Sequence, residues 1–471
     1  LYSLKLCKIT KKTTFRRKNI LIFAEIKGLM KISGVKTALR RRKHFNSCPT
    51  QALCLMLVSG IVIAHFRVIT LPPSYWLILM LSACAFAVLV KKEQHKSLPI
   101  FAAFLLAGAM LTSLQEEQNR QPAATRSYSH LSALDRTRLK AVDLRDKLIK
   151  RIGSQHLASQ QQAIITAMTL GEKGSLSKDT RQTFKASGAS HILAISGLHI
   201  GIIFQLFILL AGGRKRWRLI AVPISVTAIW AYVFLIALPA SAVRAASMIS
   251  IYCFALLTRR NSTAVSNLAL AAIVMLIIQP LHLFDISFQL SFAAVLSILL
   301  LYKPIYSLLP ASVTRHKPLG WAWAMIAVSV AAQVGTTPLV CYYFGNIACY
   351  SVLSSFVAIP AATVIIYVSL SLLLSFFLLP GFSLLQGGLA YLLSLTTSAT
   401  QHALQLIVML PGACIEGIKI SILQLGLIYI AIIAGCLFIQ KLLRCLQHRI
   451  HLPSDPHRDY SRQECQTSPS D

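Results

Sequence analysis

The string GASHILAISGLHIG, residues 188–201, holds the densest set of side chains that could do chemistry. His191 and His199 are eight residues apart, which on a continuous α-helix puts them on one face about two turns apart. Ser196 falls on nearly that same face, one turn from His199. An imidazole beside a hydroxyl is the core of a nucleophilic pair, but the base needs a third group to orient it. No carboxylate accompanies this pair locally. The same residues also read as a packing stripe bonded to neighbouring helices, or as the polar lining of a passage. Further along, Arg244, Asp285, Gln289, Ser291, Gln333, Thr336 and Asn346 interrupt otherwise apolar stretches. Arg244 could meet phosphates or pair with Asp285. Tyr342, Tyr343 and Phe344 could stack bases or form an interfacial aromatic belt. Metal chemistry has little support: the eleven Cys are scattered singly, with no CxxC pair and no HxHxDH string. His448, His451 and His457 stand near Asp455 and Asp459 in no ligand spacing and read as a polar tail. No catalytic residue, metal or cofactor is expected.

The elements that must position these side chains are transmembrane helices. Hydrophobic residues make up 55% of the 471 and charged residues only 13%, against roughly a quarter charged in a soluble domain. Mean hydropathy is +0.63. Runs close to or above ~18 apolar residues recur, matching the ~30 Å hydrocarbon core. Within lipid, helices satisfy their own backbone polar groups, so an all-α polytopic bundle is expected. Spans are predicted at 50–66, 74–90, 98–114, 188–211, 217–236, 240–258, 264–281, 286–309, 319–341, 350–379, 384–409 and 418–440. The tenth is long and contains Pro360, so it reads as tilted, kinked or two re-entrant pieces, giving about eleven to thirteen spans.

The net charge of +32 is first a topology signal, because Lys and Arg in short loops favour the cytoplasmic side. A basic leader up to residue 49 starts the chain inside. Alternation then puts Lys91, Lys92 and Lys96 inside, with Arg214, Lys215, Arg216 and Arg218, Arg259 and Arg260, and Lys303, Arg315 and Lys317. Lys441, Arg444 and Arg449 place the tail inside as well. Loops 67–73, 342–349 and 410–417 are nearly free of basic residues and fall outside. The organisation predicted is a leader (1–49), three spans (50–114), an external helical segment (115–187), a channel-type domain (188–440) and a polar tail (441–471). Residues 1–29 precede the first Met and carry no assigned function.

The external segment carries 13 Lys and Arg against 7 Asp and Glu. Leu131, Leu134, Val142, Leu148, Ile149 and Ile152 recur at helical spacing with Arg136, Arg138, Lys140, Lys147 and Lys150 mainly between them, suiting an interfacial helix. A second run, 157–170, ends at Gly171 as a C-cap, and Ser177 caps a third short helix. The basic face is either a solvated surface or a DNA-collecting one, with Arg136, Arg138, Lys147 and Lys150 as its contacts.

HILAISGLHIG resembles the signature of the ComEC family of competence proteins, the DNA-uptake channels of natural transformation. LPASAVRAASM at 238–248, NLALAA at 267–272, QPLHLFDISFQLSFAAV at 279–295 and VGTTPLVCYYFGN at 334–346 resemble the same family's membrane domain in the same order. The resemblance implies an inner-membrane channel for single-stranded DNA with both termini cytoplasmic. Its DNA path would be lined by His191, Ser196, His199, Arg244, Asp285, Gln289, Ser291, Gln333, Thr336 and Asn346. Family members typically add an OB-like domain and a C-terminal metallo-β-lactamase-like domain. Neither has room here, so the expected partners are the lipid bilayer, single-stranded DNA, and separate receptor, nuclease and motor proteins. A homo-oligomer is compatible with the sequence. Two other readings stay open: a small-solute secondary transporter, which calls for internal repeats with broken helices, and a membrane-embedded hydrolase using Ser196 and His199.

Overall fold

The computed structural model of the chain describes residues 49–450 apart from 70, 91–95, 121–132, 156, 211–214, 259–262 and 380. The leader, the tail beyond 450 and the basic residues at 91, 92, 214, 259 and 260 lie outside the described residues, as do the side chains of Arg136 and Arg138. The helices are α1 Pro49–His65, α2 Pro73–Leu89, α3 Ser97–Arg120, α4 Ala133–Gly153, α5 Ser159–Leu170, α6 Lys178–Ala186, α7 Ser190–Leu193, α8 Gly197–Leu210 and α9 Lys215–Leu235. They continue as α10 Ala240–Leu257, α11 Ala264–Ile278, a 3-10 turn Pro280–Phe284, α12 Ile286–Tyr306, α13 Ala311–Thr314 and α14 Lys317–Phe344. Strand β1 Asn346–Ala348, α15 Ser351–Leu378, α16 Ser383–Val408, β2 Cys414–Glu416 and α17 Ile422–Ile450 complete the order.

The protein is an all-α polytopic membrane protein. Among the described residues six helices are long and apolar enough to cross a bilayer: α3, α10, α12, α14, α15 and α17. Five shorter apolar helices, α1, α2, α8, the 220–235 part of α9, and α11, stand at other predicted spans. The remaining predicted span, 384–409, is the continuous helix α16, whose Ser394, Thr397, Thr400, Gln401 and His402 dilute its apolar character. The sequence gave no hint of one small element, an antiparallel pair in which Asn346 faces Glu416 and Ala348 faces Cys414.

Small residues set the closest helix crossings, as expected where packing rather than water drives association. A Cβ on Gly60 of α1 would stand 1.8 Å from the Leu105 carbonyl oxygen of α3, and one on Gly108 would stand 2.3 Å from that of Leu57. Gly335 of α14 lies as close to α12: its Cβ would meet Ser297 Cβ at 2.5 Å. There the Ser297 hydroxyl donates to the Ala331 carbonyl. The last helix, α17, has none of its apolar window buried within the protein. It is fastened to α14 by Tyr429, whose hydroxyl donates to the Gly335 carbonyl at 2.7 Å.

Three expectations change. The predicted fourth span is not one helix: α7 stops at Leu193, Ala194 turns extended, and α8 starts at Gly197. His191 and His199 therefore sit on different helices and share no face. The tenth span is one continuous helix and not two re-entrant pieces, because α15 runs 28 residues through Pro360. At 1.5 Å per residue it is about 42 Å long, so it exceeds the hydrocarbon thickness. Finally, α5, within the segment predicted at 115–187, is buried in the protein core rather than solvated. Every residue from Ala163 to Leu170 is buried, in one core cluster with Ile365, Leu372 and Leu393 of α15 and α16. Its sequence there is uncharged and apolar all round, the composition of a core helix. Its polar start also bonds α16, with Ser394 donating to Gln161 at 2.8 Å and Gln401 to Gln160 at 3.2 Å. The predicted ends hold: Gly171 is left-handed at φ +76, and the Ser177 hydroxyl accepts from the Thr180 amide.

Candidate functional site

The helical body is interrupted at 194–196, and local chemistry explains the break. Ser196 caps α8: its carbonyl accepts from the amides of His199 and Ile200 at 3.1 and 3.4 Å. Its own amide donates back to Nδ1 of His199 at 3.3 Å, and its hydroxyl lies 3.0 Å from the same nitrogen. This is half of a capping box: imidazole accepts the cap residue's amide as Glu or Gln usually does at the third helical position, while the Ser196 hydroxyl meets the same imidazole and not the His199 amide. His199 is fully buried at 0% exposure, and its Nε2 has no hydrogen-bond partner. His191, on α7, is exposed, with Nδ1 3.1 Å from the Gly188 carbonyl oxygen.

The N-terminal half of α10 packs against the break. Ser241 donates to the Ile195 carbonyl at 2.5 Å, and a Cβ on Gly197 would lie 3.6 Å from that of Ala245. Residues 241, 244 and 245 share one helical face, so Arg244 stands at this seam. It is 5% exposed. One terminal nitrogen, Nη2, donates to the Ser287 carbonyl at the start of α12 at 2.9 Å, whereas Nε has no partner. Asp285 is exposed, and its carboxylate lies 4.0 Å from His282. No Arg244–Asp285 ion pair within 4 Å occurs among the described residues; the direct partner of the guanidinium is a backbone carbonyl, and Asp285 acts on it from farther off.

Gln289 is tied at both ends. It donates to the Leu283 carbonyl at 3.1 Å and accepts from the Tyr343 hydroxyl at 2.7 Å. Tyr343 thereby joins α14 to α12, a link that its place in an aromatic run did not reveal. Ser291 is half-buried one turn from Ser287 and Phe288. Gln333 and Thr336 lie further back on α14, the Thr336 hydroxyl donating to its own Ala332 carbonyl at 3.0 Å. Asn346 is buried in β1, where it faces Glu416 across the sheet. Ser196, His199, Arg244 and the start of α12 are thus brought together. No hydrogen bond or ion pair joins Gln333, Thr336 or Asn346 to them among the described residues.

A clamp that sequence reasoning missed closes the same end of α12. His65 of α1 lies 3.0 Å from the Glu116 carboxylate of α3 and stacks on Phe284 at a centroid distance of 3.9 Å. The Leu281 amide donates to Gln115 at 3.2 Å. On α4, Lys147 pairs with Asp143 at 2.7 Å, Lys150 is exposed, and Leu148 and Ile152 are buried in the core. Among the described residues no group of three or more His, Cys, Asp or Glu side chains is placed to hold a metal ion.

Residues 168–442 match the family model described as competence protein. Curated relatives agree. ComE operon protein 3 of Bacillus subtilis is 29% identical over 244 residues, covering 50% of this chain and 29% of that protein. Recombination protein 2 of Haemophilus influenzae is 25% identical over 226 residues, covering 46% and 29%. An uncharacterised protein of Aquifex aeolicus is 28% identical over 199 residues, covering 42% and 43%. The chain thus spans less than half the length of each of these relatives. No solved structure matches. The family match covers more than half of the chain, including α8, α10, α12 and α14, and the chain belongs to the competence protein family.

Proposed function

We propose that this protein is an inner-membrane conduit that carries one strand of DNA into the cytoplasm during natural transformation, acting as a channel rather than a catalyst. The observation that carries this reading is the discontinuous helix at 194–196, bordered by the buried guanidinium of Arg244. Non-helical backbone at membrane depth is tolerated where it is buried in protein or lines a hydrated cavity, and polar groups there mark substrate paths. The competence-family match and the relatives' names support DNA uptake as the process. Strand degradation, capture and pulling are assigned to separate nuclease, receptor and motor proteins, and both termini to the cytoplasm.

The test is deletion of the gene, scored with labelled DNA. Loss of DNA reaching the cytoplasm, with DNA still held outside, is expected; unchanged internalisation refutes the proposal. A hydrolase reading draws on the 3.0 Å contact between Ser196 and His199. Against it, Nδ1 already accepts a backbone amide and Nε2 faces no carboxylate, so the base lacks the orienting group a triad requires. A Ser196→Ala variant that keeps full uptake would dispose of that reading. A broken span also suits secondary transporters, but the other apolar spanning helices run uninterrupted among the described residues.

A further inference from the structure

The start of α8 is surrounded by hydrogen-bond donors that nothing accepts from. The amides of His199 and Ile200 reach the Ser196 carbonyl, but those of Gly197 and Leu198 precede any acceptor within their own helix. His199 sets the polarity of the place. A backbone amide can only donate, so Nδ1, which receives the Ser196 amide, is an acceptor. In the neutral ring the proton then sits on Nε2, which is buried without a well-formed hydrogen bond, although the Ile192 carbonyl lies near the ring. Arg244 Nε, also buried, is a second unpaired donor. The Ser241–Ile195 bond and the close approach of Gly197 to Ala245 put Arg244 on the α10 face that covers the break.

The carboxylate of Asp285 makes no ion pair within 4 Å with this arginine among the described residues, although its charge acts on the guanidinium from farther off. The unsatisfied groups are therefore donors throughout: two buried side chains and the positive end of a 14-residue helix. Access exists along one side. Gly197 is exposed, and a Cβ on Gly201, one turn on, would meet nothing within 4 Å.

We infer that the break at 194–196 is an oxyanion-binding station, in which the first amides of α8, His199 Nε2–H and Arg244 receive one backbone phosphate of the passing strand. This rests on the conduit reading for the identity of the ligand, while the oxyanion chemistry follows from the donors themselves. Passage through such a station is indifferent to base sequence, because phosphate contacts carry no sequence information. It should instead demand a charged backbone.

The experiment uses the full chain reconstituted in lipid vesicles. Wild-type protein is given oligothymidylate with ordinary phosphodiester linkages, or the same strand with a central block of uncharged methylphosphonate linkages. Inorganic sulfate serves as the small-oxyanion probe. The phosphodiester strand should cross while the methylphosphonate block stalls, and sulfate should compete for binding. Arg244→Gln should lower the salt-dependence slope of strand binding by about 0.7, the value for one phosphate contact on a single strand, and Arg244→Lys should restore it. Equal passage of both strands by the wild type overturns the station even if Arg244→Gln fails to fold. An unchanged salt slope in well-folded Arg244→Gln overturns it as well. Arg244-dependent sulfate binding with no binding of the phosphodiester strand to the wild type would sink the conduit reading, leaving a station for a free oxyanion.

Discussion

Gly188 links the external helices to the break, and replacing it by Ala tests whether that link holds the site in place. The residue is left-handed at φ +79, a conformation that costs a residue bearing Cβ about 1–2 kcal/mol. Space is the second obstacle. A Cβ there would lie 2.6 Å from Ser351 Cβ and 3.0 Å from Ala348 Cβ, at the turn from β1 into α15. Forcing an extra methyl group into a filled contact costs about 1–3 kcal/mol. The expected loss is therefore about 2–5 kcal/mol, a large share of the 5–15 kcal/mol that a folded protein commands. Ser351→Gly in the same chain removes the nearest clash but leaves the backbone cost. The double variant should regain roughly half of the loss, since the two contributions are of similar size. Denaturant unfolding of purified protein in detergent, followed by tryptophan fluorescence, reads both values. Wild-type stability in Gly188→Ala, or no recovery on adding Ser351→Gly, would refute the reasoning.

Reporter fusions at residues 130, 240 and 345 should read outside, and those at 95, 215, 260 and 445 inside; a cytoplasmic signal at 130 would overturn the topology drawn from the basic loops. His199→Gln should keep the cap on α8, because an amide oxygen can accept the Ser196 amide as the imidazole does. His199→Ala should lose about 1 kcal/mol in the same unfolding assay, the usual cost of a lost cap; equal stability of the two variants would remove the capping role. Neutralising Arg136, Arg138, Lys147 and Lys150 together should reduce DNA uptake without changing membrane insertion. Of these, Lys150 should matter more than Lys147, which is already paired with Asp143.

The helices were legible because lipid imposes so simple a rule. An uncharged run long enough to span has no alternative to a helix, and all twelve predicted runs contain one, though the number that crosses a membrane is what the fusions must count. What composition could not separate was a short apolar helix buried by protein from one lying at a membrane surface. The run AIITAMTL of α5 was assigned to the external segment by its place between basic stretches. Its packing against α15 and α16 depends on partners more than 200 residues away in the chain. Pro360 misled for a related reason. A proline removes one amide hydrogen bond, yet a packed membrane helix absorbs that loss through its neighbours.

The site was half legible, and the missed half was in plain view. Periodicity favoured one helix from 188 to 211, and that assumption put His191 and His199 on a shared face. Ser196-Gly-Leu-His199 carries the opposite instruction, a serine cap with an acceptor three residues on. It goes unnoticed when only Glu and Gln are considered as the acceptor. Reading it as a helix start would have placed the break within one residue of where it stands. The pairing of Arg244 with Asp285 failed differently. Opposite charges in sequence suggested attraction, but a guanidinium can satisfy itself on a carbonyl, and Arg244 does so at Ser287. The consequence is functional. An arginine in a close ion pair would be a packing device, whereas one whose direct partner is a neutral carbonyl, with Asp285 farther off, still presents charge beside the start of α8.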